Sequence, residues 1–422
     1  MSRNRFILLF VVAITLLIIT IIIVVKPNKN QSVSGTQPDK PSFFPIFGNS
    51  KPNPDTTNPQ GDTPKDGVSN PISQNNNTTD SLFNITTKPV AGMLSETKEV
   101  VGGEDIKKDS IWINYVLREN GFIYKKEISN LSFEKKVSTT TIPRVEEALF
   151  LNNGKSVVLR YLDSDLQTIK TFLGTVPQEK EGGDGPSVLK GSFLPEGIKE
   201  FSKSMLGKYY FYLLDLNESV SGTLVNSKTN TKSAFFNSPF REWSTAVSEN
   251  GSYVFVTTKP SSVFSGYSYR LAVPNNNPVR ILGGVLGLTI NPNSSGNSAL
   301  YSDNTLALKN YSISDKKTTS FGFKTLAEKC AWVSDNITAY CFAPTTTLDA
   351  NYPDEWYQGV VHFTDSLWKI NTSTGSASFI ENISDKNKGT FDGIKPTLSG
   401  DDSILFFINK NDGSLWGYKL NE

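Results

Sequence analysis

The side chains with the most chemistry to offer lie within one stretch, Pro344 to Thr364, which carries Asp349, Tyr352, Asp354, Glu355, Trp356, Tyr357 and His362. A nucleophilic triad would use His362, the sole histidine, as base, with Ser366 as nucleophile and Asp365 as orienter. No Gly-x-Ser-x-Gly elbow surrounds that serine. If Val360–Phe363 is extended, His362 packs on or beside a strand instead. Glycoside cleavage needs two carboxyl groups about 5 to 9.5 Å apart across the bond. Neighbours in an extended chain point to opposite faces, so Asp354 and Glu355 do not make that pair, and Asp349 with Glu355 is the pair that remains. Trp356 and Tyr357 offer a third chemistry, the broad low-entropy contact used in protein interfaces and sugar platforms. The same rings can also fold back to plug a sheet edge or a central channel, and the sequence leaves both readings open.

Elsewhere the composition mainly excludes. One His, two Cys and three Met leave too few nitrogen and sulfur ligands for a usual transition-metal site, and nothing calls for a cofactor. The net charge is +1, from 42 basic and 41 acidic residues, without a Lys/Arg stripe. Nucleic acid is therefore not an expected partner, because counterion release needs clustered cations. Gly182-Gly183-Asp184-Gly185 and Gly283-Gly284-Val285-Leu286-Gly287 lack the spacing and following helix of a phosphate loop and read as turns. Cys330 and Cys341 bracket a hairpin signal at Asp335-Asn336. A two-residue turn there places the cysteines directly opposite, with Cβ atoms about 4.5–5.5 Å apart. The expectation is a disulfide, against the alternative of two reduced buried thiols.

These residues need elements to position them, and beyond residue 85 those elements read as strands. Short Val/Ile/Tyr/Phe/Thr runs recur between Gly, Asn, Asp and Ser turns, while helical periodicity is almost absent. One unit repeats, in which a polar turn precedes a strongly hydrophobic strand. The turns fall at Leu151–Gly154, Met205–Gly207, Ser248–Gly251, Asn291–Gly296, Ser334–Asn336 and Ser399–Asp402, and the strands are Val157–Tyr161, Tyr209–Leu214, Tyr253–Thr257, Ala299–Tyr301, Thr338–Phe342 and Ile404–Ile408. The period of roughly 40 to 55 residues, with one longer interval holding the Pro344–Thr364 insertion, suits four-stranded propeller blades. With an earlier hairpin, Trp112–Leu117 and Phe122–Ile128, the expectation is an all-β, seven-bladed β-propeller. The last blade is one strand short, so a strand within Ile85–Val101 is expected to complete it.

The stretch Pro396-Thr-Leu-Ser-Gly-Asp-Asp-Ser-Ile-Leu-Phe-Phe-Ile-Asn-Lys-Asn-Asp-Gly-Ser-Leu-Trp-Gly-Tyr-Lys-Leu420 resembles one repeat of the WD40-like propellers of TolB-type proteins, and Ala246–Val256 is similar. The turns here lack that family's proline, and the copies around Gly207 and Gly296 match weakly. The resemblance covers residues 95 to 422 and implies a fold, not an activity. Ser138–Arg144 with Arg160-Tyr161-Leu162, together with Tyr352–Gly359, also resembles membrane-anchored propellers of bacteria.

Upstream, Phe6–Val25 is an apolar run broken only by Thr15 and Thr20. As a helix it would be about 30 Å long, the thickness of a bilayer's hydrocarbon core. It ends in β-branched residues and Lys26 without a cleavage signal, so an uncleaved single-pass anchor is expected. Between Lys26 and the strands, nine prolines and many Asn, Thr and Ser residues predict a disordered linker. The expected organisation is thus a cytoplasmic tail at 1–5, a transmembrane helix at 6–25, a linker at 26–84 and the propeller at 85–422. The expected address is the cell membrane, with the N-terminus cytoplasmic and the propeller outside. The function that follows is a non-enzymatic binding or scaffolding module for an envelope protein or glycan. The alternative is an envelope hydrolase or lyase using loop carboxylates.

Overall fold

The computed structural model describes residues 81–422 except 102–106, 178–184, 276, 387–388 and 421–422. The expected anchor and linker up to residue 80 lie outside the described residues. Among the described residues no helix is long and apolar enough to cross a membrane.

Strand β1, Leu82–Thr86, comes first. Seven antiparallel four-stranded sheets then form the blades. Blade 1 is β2 (Val90–Val101), β3 (Lys107–Leu117), β4 (Ile123–Glu127) and β5 (Asn130–Lys136). Blade 2 is β6 (Val145–Leu151), β7 (Ser156–Leu162), β8 (Ile169–Thr175) and β9 (Lys190–Phe193). Blade 3 is β10 (Ile198–Lys203), β11 (Tyr209–Asp215), β12 (Val220–Asn226) and β13 (Lys232–Ser238). Blade 4 is β14 (Trp243–Val247), β15 (Tyr253–Thr258), β16 (Ser265–Ala272) and β17 (Pro278–Leu286). Blade 5 is β18 (Thr289–Pro292), β19 (Ser298–Ser302), β20 (Ala307–Ser312) and β21 (Lys317–Lys324). Blade 6 is β22 (Cys330–Trp332), β23 (Thr338–Pro344), β24 (Asp365–Asn371) and β25 (Ser376–Glu381). Blade 7 joins β26 (Gly393–Leu398), β27 (Ile404–Asn409) and β28 (Leu415–Lys419) to β1.

The hydrophobic strand of every repeat is the second of its blade, where both faces are covered by neighbouring blades. Thus Ile404–Asn409 is buried at every position, while the outermost β9 is exposed throughout. A two-sided core strand needs a continuous apolar run, which is why these strands stand out in the sequence. Rings interlock between blades, as where Phe342 of blade 6 meets Phe407 of blade 7 with centroids 4.6 Å apart.

The turns before the core strands of blades 3 to 7 share one geometry. Gly207, Gly251, Gly296, Asn336 and Asp402 all have φ between 59° and 74°. Each donates its N–H to the carbonyl three residues earlier. This left-handed position explains the recurrence of Gly, Asn and Asp. The opening serine then accepts from the first residue of the core strand, as Ser248 Oγ does from Tyr253 N at 2.9 Å and Ser399 Oγ from Ile404 N at 2.9 Å. The weak copies at Gly207 and Gly296 share the backbone turn. The missing proline also has a cause in blade 4, where Glu249 N donates to Ser294 O of blade 5 at 2.8 Å, a bond proline would delete.

The ring is closed by β1, which pairs Leu82 with Tyr418 and Phe83 with Gly417. A side chain at Gly417 would come within 2.4 Å of the Phe83 ring, so any other residue there would force that ring to move. The strand expected within Ile85–Val101 therefore lies earlier, and only Ile85 and Thr86 of that window belong to it. The rest, from Val90, is β2, the first strand of blade 1, which meets β6 and β26. The strands accordingly begin at Leu82 rather than at residue 85.

Candidate functional site

The insertion connects β23 to β24, a second-to-third strand connection. Antiparallel alternation puts all such connections, and those leading to the next blade, on one face of the propeller. The insertion forms a short helix, α1 (Asp354–Tyr357), anchored by its apolar side. Trp356 is 3% exposed and belongs to a core cluster with Tyr352, Phe363, Leu306 and Leu326, joined by Ile85 and Val90 from the ring closure. Its ring stacks on Phe363 at 5.8 Å, and its Nε1 donates to Asp392 Oδ2 at 2.8 Å.

The other residues singled out in the sequence divide sharply. Asp354 Oδ2 accepts from Ser262 N at 3.0 Å and Ser262 Oγ at 2.6 Å, tying the insertion to the second-to-third connection of blade 4. Glu355 accepts from Asn351 Nδ2 at 2.6 Å, and the buried Tyr352 donates its hydroxyl to Leu348 O at 3.1 Å. Tyr357 donates to Glu328 at 2.6 Å, and burial together with that carboxylate pushes its phenol well above the ordinary range. Asp349 and His362 are exposed. The insertion is thus a clamp whose aromatic residues point inward, and Asp354 and Glu355 each accept an internal hydrogen bond. Asp365, the orienter of the conceivable triad, is buried and faces Lys329, while Ser366 donates to Ala343 O at 3.0 Å.

Beneath α1 lies an ionic cluster the sequence did not announce. Lys329, on the 3-10 turn Ala327–Lys329, is fully buried between Asp365 at 2.8 Å and Asp392. It also donates to Gly393 O at 2.9 Å and faces the Trp356 and Phe363 rings. Lys410 donates to Trp356 O at 2.7 Å with its amine 4.5 Å from that ring. Burial lifts the Asp365 carboxyl to about 7 despite the attraction of Lys329, and burial lowers Lys410 to about 8. Such a network fixes one arrangement of the insertion, because removing a partner would strand a buried charge. Its members are scattered across the sequence, so spacing gives no sign of it.

Cys330 and Cys341 are directly paired across β22 and β23 and joined by a disulfide, with Cα atoms 4.0 Å apart. The turn differs from the two-residue form expected. Val333 N bonds Thr338 O at 2.9 Å and Asn336 N bonds Val333 O at 3.0 Å, giving a four-residue loop with the same register.

Beside Asp349 and His362, this face presents several large apolar side chains outward. Val263 and Phe264, in the blade 4 connection next to Ser262, are 70% and 74% exposed. Gly287 N donates to Ser261 O at 2.8 Å, which brings the exposed Leu286 beside them. Leu348 and Val360 of the insertion, and Phe240 on the connection into blade 4, are exposed on the same face. In sequence the pair is two apolar residues in a Ser/Gly loop, and its exposure follows from the place of that loop in blade 4.

No protein-family model and no curated protein matches the sequence. Solved structures similar to it include TolB from Acinetobacter baumannii, at 8% identity over 78% of this chain and 80% of that one with a TM-score of 0.41. The Cps50 (Swd1) β-propeller domain of Myceliophteria thermophila is similar at 8% identity over 80% and 98%, with a TM-score of 0.49. A chain of the Mitotic Checkpoint Complex is similar at 8% identity over 87% and 99%, with a TM-score of 0.47. On its own strand order and ring closure the chain is a seven-bladed β-propeller, and its likeness to the WD40-like and TolB-type propellers is one of fold.

Proposed function

We propose that this propeller is a protein-binding module, held outside the cytoplasm by the apolar segment Phe6–Val25, and that it captures an envelope protein with the face shared by blade 4 and the insertion. The observation that carries the reading is the exposed pair Val263 and Phe264, on the same propeller face as the exposed Leu286, Phe240, Val360 and Leu348. Monomeric surfaces rarely present contiguous large apolar side chains except where something docks. The scaffold beneath is rigid, since Asp354 and Gly287 bind Ser262 and Ser261 at the base of the loop. A rigid apolar projection lowers the entropy cost of association. The apolar character favours a protein over a glycan partner. The disulfide supports an oxidising address, and the linker composition supports a domain held away from the membrane.

The test is a crosslinking capture from envelope extract with the full chain beside a Val263→Ser/Phe264→Ser double variant. Both substitutions are at exposed positions, so the variant should melt within about 0.5 kcal/mol of the parent. A protein captured by the parent and lost with the variant supports the reading. Equal capture by both, or none by either, rejects this face.

A further inference from the structure

On the opposite face, where first-to-second strand turns cluster, a cleft of about 680 Å³ opens mainly between blades 1 and 2, with Leu206 of blade 3 and Gly400 of blade 7 at its rim. Its size is that of a small-molecule site. The register of blade 1 sets what faces it. Leu94 pairs with Asn114 and Asn114 with Lys125, while Glu96 pairs with Trp112, so these side chains share one face of the sheet. Leu94 packs with the core of blade 2, which identifies that face as the cleft side.

The polar groups on this wall are unbalanced in two ways. Asn114, 7% exposed, lines the cleft with an amide nitrogen that has no hydrogen-bond partner among the described residues, and the indole nitrogen of Trp112, two residues along the same sheet face but outside the lining, has none there either. Both are donors, and buried donors are normally satisfied. Charge is unbalanced as well. Lys125, with its side chain 6% exposed, meets one carboxylate, Glu96, at 3.2 Å. Lys98 places a second amine over the same Trp112 ring, at 5.7 Å against 4.8 Å for Lys125, and Lys155 lines the cleft from blade 2. Among the described residues that line the cleft, Glu96 is the only acid, against three lysines. Burial and Lys98 hold the Lys125 amine below its ordinary range, a strain that an anion would relieve.

We propose that this cleft binds a small oxyanion-bearing ligand of sugar size, its carboxylate or phosphate oxygens received by Lys125, Lys98 and the Asn114 amide. A bare ion would leave most of the cavity unfilled, and a neutral sugar would leave the excess cations unmatched. The site lies on the face opposite the insertion and is independent of the protein-binding reading.

Isothermal titration of the full chain with glucuronic acid, glucose 6-phosphate and glucose tests it. One or both acids should bind at a single site, at least tenfold tighter than glucose, and the preferred acid separates carboxylate from phosphate. The exposed Lys98→Gln should weaken binding about tenfold without altering the fold. Asn114→Leu, which deletes the partnerless donor, should abolish binding while the ligand-free melting temperature stays level or rises. If neither acid binds, if glucose binds equally, or if Lys98→Gln binds like the parent, the proposal is overturned.

Discussion

Asp365 illustrates how a residue's role follows from its surroundings. In sequence it stands next to Ser366 near the only histidine, which suggests catalysis. In the fold it is sealed against Lys329, with one oxygen accepting from Gly393 N at 2.7 Å and the other without a partner among the described residues. Its carboxyl is raised by burial from 3.8 to about 7. Between those values the native chain holds a proton that the unfolded chain has released. The contribution of this group to stability is therefore full below pH 3.8 and lost as pH rises toward 7, opposite to that of a paired surface carboxylate. The difference in melting temperature between parent and Asp365→Asn, measured from pH 4 to pH 8, should turn against the parent as pH rises through that window. A difference that does not change with pH would show that Asp365 is ionised throughout.

At the scale of the element, the insertion has an inner and an outer side with separate tasks. Trp356 and Tyr352 hold it down, and Leu348, Val360, Asp349 and His362 face out. Removing the indole takes away a buried ring and leaves Asp392 without one of its donors. Trp356→Ala should therefore cost about 3–5 kcal/mol, whereas Val360→Ser should stay within about 0.5 kcal/mol. Denaturant melts of the two variants check this, and equal losses would contradict the division. Two readings of the aromatic residues were open from sequence. A short polar-flanked segment has no periodicity of its own, and the direction of Trp356 depends on Asp392 and Phe363, which come later in the chain.

At the scale of the molecule, stability is that of a closed ring. The strand that closes it comes from before the first blade and pairs with the last, so both ends of the described chain meet in blade 7. Leu82 and Ile85 bury the side chains that seat β1. A Leu82→Asn/Ile85→Asn double variant should lose about 3 kcal/mol or more. It should also self-associate through the freed edge of β28, as exposed strand edges do. Thermal melts and sedimentation would show both effects, and an unchanged monodisperse melt would mean that β1 does not carry the closure.

The amino-acid order by itself determined the fold class, the repeat count and the disulfide register, because each rests on local constraints. A core strand covered on both sides must be continuously apolar, a left-handed turn selects Gly, Asn or Asp, and residues opposed across a hairpin follow from its turn. The closing strand was legible in kind but misplaced by a few residues, since Leu82–Thr86 has no alternation of its own and is a strand only because β28 lies beside it. The Lys329–Asp365–Asp392 cluster, the inward turn of Trp356, the exposed Val263–Phe264 pair and the basic cleft of blade 1 were decided only by tertiary structure. Each depends on which distant side chains share a dry environment, and burial, hydrogen bonding and charge balance are properties of that environment rather than of the chain order.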